Sequence, residues 1–442
     1  MGLKACKFGG TSLADANGVR RVAEIVAREP ARRYVVVSAP GKREPSDHKV
    51  TDLLLASHSL ARQGLDFTQP LGMVRDRFRS LAADLGVRLD VRPLLDELEA
   101  QVRTEGNRDL IASRGEYLCA RIVADFLGAR FVDARRAIGV ARGRSQVTPD
   151  TYPRLRMLLE GEGPVVVPGF YGSDTHGDIV TFPRGGSDIT GSVVARAVGA
   201  EVYENWTDVP GLLMTDPAVV PEAQPILEVT YRELRELSYM GAKVLHEEAT
   251  FPVREAGIPI HIRSTWEPDA PGTRVLPSRE HGTAPVVGIA GRTGCSTIHI
   301  EKAMMNEGRG FGRRVLDILE FHGISWLHAP TGIDTMSVVV WDEELEGKGD
   351  AYLADIERIL EPDRLELIGD LALLATVGQG MANTVGIAGR LFTSLADAGV
   401  NIRMIDQGSS EISIIVAVAA ADYSKAVRAI YDAFAGPCRS RA

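Results

Sequence analysis

Two stretches of the chain match each other 76 residues apart without a gap: GFGRRVLDILEFHGIS (310–325) and GIAGRLFTSLADAGVN (386–401). The match runs on through MSVVV (336–340) and ISIIV (412–416). A repeat of this length is one supersecondary unit used twice. Apolar residues recur at helical spacing over 315–321 and 391–396, and the runs near 336 and 412 alternate or are wholly apolar, as strands do. Each copy therefore reads as a βαββαβ module. The charged run WDEELEGKGD (341–350) reads as a solvated turn and helix entry inside the first copy. The run VVGIA (286–290), just before the first copy, suits a strand that completes either sheet.

Ahead of the repeat the pattern is different. YVVV (34–37) and VVVPGF (165–170) are short apolar runs closed by turn residues. Helical spacing covers 15–29, a helix is expected from Leu53 behind Thr51 and Asp52, and another over 189–198. Strands are expected over 179–182 and 201–206. Buried strands alternating with helices indicate a mainly parallel sheet covered on both faces, and ligands on such sheets sit beyond the strand C-termini. The expected class is α/β, followed by the two modules. The expected boundaries are 1–284 for the α/β domain, 285–370 for the first module and 371–442 for the second, with exchange of a strand between modules left open.

The bulk numbers narrow the function. A formal charge of -9 and a pI near 5.6 do not indicate a basic nucleic-acid surface. No apolar run approaches the roughly 18 residues that span a bilayer, and Lys4 and Lys7 interrupt any secretory h-region. Cys6, Cys119, Cys295 and Cys438 are scattered without a CxxC pair, so no zinc site or disulfide framework is expected. A cytoplasmic protein with no protein-held metal is the expectation.

Polar loops end the strands of the α/β part: KFGGTS (7–12), SAPG (38–41), RGGSD (184–188) and TDVPG (207–211). Phosphoryl transfer is mostly positioning and electrostatics, so it needs positive charge and backbone donors around the moving group. Lys7, Gly9, Gly10, Gly185 and Gly186 can supply these, and a helix after Gly186 adds its N-terminal dipole. Asp188 suits a group that orients Lys7 or a metal-bound water. Arg184 suits a carboxylate and Glu116 an amine. No GxxxxGK[ST] or GxGxxG motif follows a strand.

In this order, KFGGTS (7–12), SAPGK (38–42), KVTDLL (49–54), SRGEYL (113–118), PRGGSDITGS (183–192), ENWTDVPG (204–211) and YMGAKVLH (239–246) closely resemble the aspartokinase family, and the repeat resembles that family's tandem ACT domains. The resemblance implies an amino-acid-kinase fold, ATP and Mg2+, and transfer of the γ-phosphoryl group to L-aspartate, the first step toward lysine, threonine and methionine. Carried over by motif, Lys7 and Asp188 would work with Gly9 and Gly10 on the phosphoryl group. Ser38, Thr51, Glu116, Arg184, Gly186 and Ser187 would hold aspartate, and Thr207, Asp208, Gly211 and Lys243 the nucleotide. A homodimer or larger homo-oligomer, with lysine and/or threonine bound at an ACT interface, would follow. The effector positions would be Met305, Gly310, Phe311, Asn383, Val385 and Asn401.

The chain departs from the family pattern in two places. Leu213 and Ala218 stand where a tyrosine and a phosphate-binding arginine are common, and losing that arginine would cost about 1.5–3 kcal/mol of nucleotide binding unless Arg254 or Lys243 compensates. Lysine-sensing relatives often carry an acidic residue where this chain has SWLH (325–328). Two other readings stay open on the sequence: a kinase of another acidic metabolite, or a catalytically weak ACT-based sensor.

Overall fold

A computed structural model of the chain describes residues 2–104, 106–141, 146–183, 185–242, 245, 247–279 and 284–435. It separates into two compact units, one of Met1–Leu212, Pro225–Tyr231 and Lys243–Arg279, the other of Leu213–Gln224, Arg232–Ala242 and Glu280–Ala442.

The strands of the first unit are β1 (Lys4–Phe8), β2 (Tyr34–Val37), β3 (Arg130–Phe131), β4 (Val165–Pro168), β5 (Tyr171–Ser173), β6 (Ile179–Thr181), β7 (Val202–Thr207), β8 (Glu228–Thr230), β9 (Ile260–Ser264) and β10 (Thr273–Leu276). β5 and β6 form a hairpin, and the other eight form one sheet in the order β3-β4-β2-β1-β7-β9-β10-β8. Every neighbouring pair is parallel except β9 with β10. The valine runs of β2 and β4 are buried on both faces, as a covered parallel sheet requires. Because β1, β2, β4 and β7 run the same way, the loops after Phe8, Val37, Pro168 and Thr207 open at one edge of the sheet.

Helices cover both faces. Ala16–Ala27 is capped by Asp15, whose carboxylate accepts the Gly18 N–H at 2.8 Å, and it buries Val19, Val22 and Ile25. Arg108–Leu127 starts at Asn107 and ends at Gly128, in the left-handed region at φ 60°. Two helices begin earlier than the sequence suggests. One runs Val50–Arg62 with Lys49 at its cap position, which makes Thr51 a first-turn residue. The other runs Gly186–Val198, because Gly185 at φ 76° turns the chain straight into the helix. Asp188 thus lies in a helical first turn.

Under β1 and β7 sits a buried ion cluster. Glu204, wholly buried, accepts from Arg32 Nε at 2.8 Å and Trp206 Nε1 at 3.0 Å, and Lys4 Nζ and Arg263 Nη1 approach it at 3.3 and 3.5 Å. The Arg32 and Arg263 guanidiniums lie 5.2 and 4.6 Å from the Trp206 ring centroid. Burial pushes the Glu204 carboxyl up, but the three cations outweigh it and hold it down to about 2. Its contribution to stability is therefore present above its unfolded value near 4.5 and lost as pH falls toward 2. Glu204→Gln strands the cations and is expected to cost about 3–5 kcal/mol. Urea unfolding at pH 7 checks the size, and repeating it at falling pH should shrink the gap between variant and wild type.

The second unit contains β11 (Gly288–Glu301), β12 (Thr335–Trp341), β13 (Arg364–Val377), β14 (Ile402–Asp406) and β15 (Ser413–Ala419), all antiparallel in the order β12-β11-β13-β15-β14. β11 and β13 are each 14 residues long and pair along almost their whole length. The later half of β11 pairs with β12 of the first copy, and its earlier half, Gly288 to Thr293, pairs with Val377 to Ala372 of the second. The run ahead of the first copy thus adds a strand beside the first strand of the second copy. The ladder shifts register between Thr293 and Thr297, where it passes from one module to the next. Helices Phe311–His322 and Ile387–Asp397 begin at Gly310 (φ 78°) and Gly386 (φ 91°), which are repeat mates. The segment 342–350 holds a four-residue helix, Asp342–Leu345, and the start of Gly349–Leu360.

Stretches 213–224 and 232–242 are built into this second unit. Ile289 N–H donates to Met214 O at 2.6 Å, and Gln224 N–H donates to the Tyr431 hydroxyl at 3.1 Å. Glu233, wholly buried on helix Tyr231–Tyr239, accepts the Gln379 N–H at 2.8 Å.

Candidate active site

Alternation along β1 sends Cys6 and Phe8 to the ion-cluster side and Lys7 to the other. Register places Lys7 beside Asn205 of β7. On that face, Lys7 Nζ meets Asp188 Oδ1 at 2.5 Å, and Asn205 Nδ2 donates to the same oxygen at 2.9 Å. The Tyr203 hydroxyl donates to the Asp188 carbonyl at 3.2 Å. Lys7 is 8% exposed. Its ammonium is therefore aimed by a carboxylate that is itself fixed by an amide, a strand neighbour and a helix start. A Cβ on Gly9 would lie 3.7 Å from Nζ, so the glycine leaves the charge open to the loop side.

The loops after β1 and β2 touch through their backbones. Gly41 N–H donates to Gly10 O at 2.7 Å, and a Cβ on Gly41 would lie 2.6 Å from the Gly10 carbonyl carbon. Likewise a Cβ on Gly169, after β4, would lie 2.7 Å from Ser187. Gly10, Gly41, Gly169, Gly186 and Ser187 thus bring three loops and one helix start together. Gly41→Ala must push these loops apart, and kcat/KM for the acceptor is expected to fall at least tenfold. Steady-state rates beside a thermal melt would check this. A folded variant with unchanged kcat/KM would show that the contact has no bearing on the site.

Glu116 sits beneath the second loop. It is 5% exposed, and its Oε2 has no hydrogen-bond partner among the described residues. A Cβ on the preceding Gly115 would meet the Ala39 Cβ at 2.8 Å, so the helix and the loop are packed closely here. Burial pushes the carboxyl up to about 8, against the pull of the Ala39 N–H beside it. A buried carboxylate with an empty lone pair is costly unless a cation meets it. Ser38 opens the same loop, its N–H donating to Phe8 O at 3.2 Å. Thr51 follows at the start of the next helix.

Thr207 ends β7, and its hydroxyl donates to Asp208 Oδ1 at 3.2 Å. Gly211 follows at φ 131° against the Thr273 hydroxyl. Leu213 and Ala218 fall in the stretch built into the second unit, where Ala218 N–H donates to Asp216 Oδ1 at 2.8 Å. Arg254 is exposed on helix Glu247–Glu255. Arg184 and Lys243 lie outside the described residues.

In the modules, Gly310 and Asn401 are exposed, and Val385 is fully exposed. Met305 and Phe311 have their side chains in the core of the first module, so what they offer at its surface is backbone. The side chain of Asn383 lies outside the described residues. Two carboxylates approach 325–328 from elsewhere in the chain: Glu344 accepts the Ser325 N–H at 3.1 Å, and Asp406 Oδ2 lies 2.6 Å from His328 Nδ1.

Sequence reasoning missed Asn205. Its signal was the ENWT run itself, in which Asn205 falls on the face opposite Glu204 and Trp206, but that face is identified only once β1 and β7 are known to be neighbours.

Residues 3–264 match the amino acid kinase family, and residues 374–434 match the ACT domain. The chain is 39% identical over 449 residues to aspartokinase 3 of Bacillus subtilis (strain 168), covering 98% of each chain. The crystal structure of Clostridium acetobutylicum aspartate kinase superposes with a TM-score of 0.94 at 43% identity, covering 98% of this chain and 100% of that one. E. coli aspartokinase III, solved with aspartate and ADP in an R-state, superposes at 0.78 with 27% identity, covering 98% and 100%. Its complex with lysine and aspartate, a T-state, gives 0.75 with 27% identity, covering 98% and 99%.

Proposed function

The chain belongs to the aspartokinase family, and from that premise we propose that it transfers the γ-phosphoryl group of ATP to the side-chain carboxylate of L-aspartate. The observation that carries this reading is the pairing of an aimed lysine at the phosphate-facing edge with a buried, unpartnered Glu116 under the neighbouring loop. One suits a moving phosphoryl group and the other an amino-acid ammonium.

In the reaction, an acceptor carboxylate oxygen attacks the γ-phosphorus. An O–P bond forms, the bond to the bridging oxygen breaks, and the electron pair leaves with ADP. The acceptor is already ionised at pH 7, so no general base is needed. Lys7 meets the charge spread over the equatorial oxygens, with Gly10 and the start of helix Gly186–Val198 as backbone donors. The Gly9 N–H is already given to Trp206 O at 3.0 Å, so Gly9, expected from the sequence to donate, instead leaves room beside the Lys7 ammonium. Asp188 and Asn205 keep the ammonium in place. Glu116 takes the α-ammonium, Arg184 a carboxylate, and Ser38, Thr51, Gly186 and Ser187 the remaining polar groups of aspartate. Thr207, Asp208, Gly211 and Lys243 hold the nucleotide. Lys7 and Asn205 both use Asp188 Oδ1, so Oδ2 would be left to meet Mg2+ or its water when the ion arrives with the phosphates, where it would screen their charge.

The product, 4-phospho-L-aspartate, enters lysine, threonine and methionine biosynthesis in the cytoplasm. The kinase domain is taken as 1–284 and the ACT domains as 285–370 and 371–442. The ACT domains give feedback by lysine and/or threonine in a homodimer or larger homo-oligomer, with Met305, Gly310, Phe311, Asn383, Val385 and Asn401 around the effector. ADP release with ATP and Mg2+, compared for L-aspartate, L-glutamate and N-acetyl-L-glutamate, tests the reading. Aspartate is expected to support turnover at least 100-fold better than the others. Turnover with another acceptor instead would replace aspartate in this account. Adding lysine and threonine to the same assay identifies the effector.

A further inference from the structure

Arg77 points inward from helix Thr68–Leu85, whose buried residues also include Val74, Phe78 and Leu81. It is 7% exposed, and none of the sequence motifs contains it. Its guanidinium is spent on one loop: Nη1 donates to Gly41 O at 2.9 Å, and Nη2 donates to Asp47 Oδ2. Asp47 in turn organises its own stretch, accepting from Arg43 N–H at 3.1 Å, Arg43 Nε at 2.9 Å and His48 N–H at 3.0 Å. Its side chain is only 7% exposed. The loop held this way joins β2 to helix Val50–Arg62, with Ser38 at one end and Thr51 just past the other. Gly41 itself is tied back to Gly10.

We propose that Arg77 and Asp47 are a positioning pair for the acceptor: one planar guanidinium pins both ends of the 41–47 span, so that Ser38 and Thr51 are presented in place before substrate arrives. This rests on those two residues holding aspartate, as argued above. A fork with two fixed donors does this and an ammonium does not, so lysine is no substitute at position 77. Neither residue touches substrate, and their effect is on the acceptor rather than the nucleotide.

The test uses the full chain. Arg77→Lys and Asp47→Asn are compared with wild type for kcat, KM for aspartate, KM for ATP and melting temperature. Each is expected to raise KM for aspartate about 10- to 100-fold while leaving KM for ATP within twofold. Equal changes in both KM values, or an unchanged KM for aspartate in a folded variant, would overturn the proposal. Hydrogen exchange of the bonded amides Gly41, Arg43 and His48 in the wild-type protein gives an independent reading if the variants do not fold. Slow exchange that is the same with and without aspartate is expected. Fast exchange that slows only when aspartate is added would overturn it. Absence of wild-type turnover with aspartate would count against the assigned reaction, and the exchange measurement without ligand would still decide whether the loop is held in advance.

Discussion

Lys7→Ala is expected to lower kcat for ADP formation by about 10²–10³-fold, with both KM values changed much less. The reasoning is geometric. Lys7 Nζ is held 2.5 Å from Asp188 Oδ1, which Asn205 holds from the other side, so the charge is oriented before any substrate binds. Such a charge is worth most when negative charge shifts on the phosphoryl oxygens, which is why the loss should fall on kcat. Lys7→Met keeps most of the side-chain volume and should behave like the alanine variant. Steady-state kinetics with a thermal melt on each variant checks this. A kcat within fivefold of wild type would remove Lys7 from the chemistry.

Glu116→Gln is expected to raise KM for aspartate about 10- to 150-fold, the loss of one hydrogen bond to a charged group at about 1.5–3 kcal/mol. The pH dependence gives the sharper signature. Below about 8 the free protein holds Glu116 protonated, and an ammonium needs the ionised form. For wild type, kcat/KM for aspartate should therefore climb with pH and level off near pH 8. The variant, with nothing to ionise there, should lack that climb. Stability moves the opposite way. An acid whose folded pKa lies above its unfolded one weakens the fold as pH rises from about 4.5 to 8. Glu116→Gln should thus melt no lower than wild type at pH 8. A variant with an unchanged pH profile would mean that another group meets the amine.

Much of this was readable from the chain because it is local. The 76-residue repeat carries its own helix starts, and Gly310 and Gly386 open matching helices as the alignment implies. The loop 38–41 follows the valine run of β2, whose burial is visible in its composition. What was not readable depends on partners distant in sequence. The run 286–290 is apolar enough to extend either module, and only the pairing of Gly288 to Ala290 with Val377 to Ala375 decides between them. Arg77 shares the apolar stripe of its helix with Val74, Phe78 and Leu81, but what its guanidinium meets is unknown until the 41–47 loop folds over it. Glu204 is one residue from Asn205, yet one enters a buried ion cluster and the other supports Lys7, because a strand sends alternate side chains to opposite faces. The first turn of Gly186–Val198 was hidden by its glycines, which read as loop until Gly185 takes up its left-handed conformation.

The most direct test of the central claim is to trap the product. An acyl phosphate reacts with hydroxylamine to give a hydroxamate, whereas ATP hydrolysis alone gives none. Wild-type protein with ATP, Mg2+, L-aspartate and hydroxylamine is expected to form aspartyl β-hydroxamate in step with ADP, and Lys7→Ala to form almost none. ADP without hydroxamate, or no ADP at all, would contradict the account of Lys7 and Glu116 as the two halves of an aspartate-phosphorylating site.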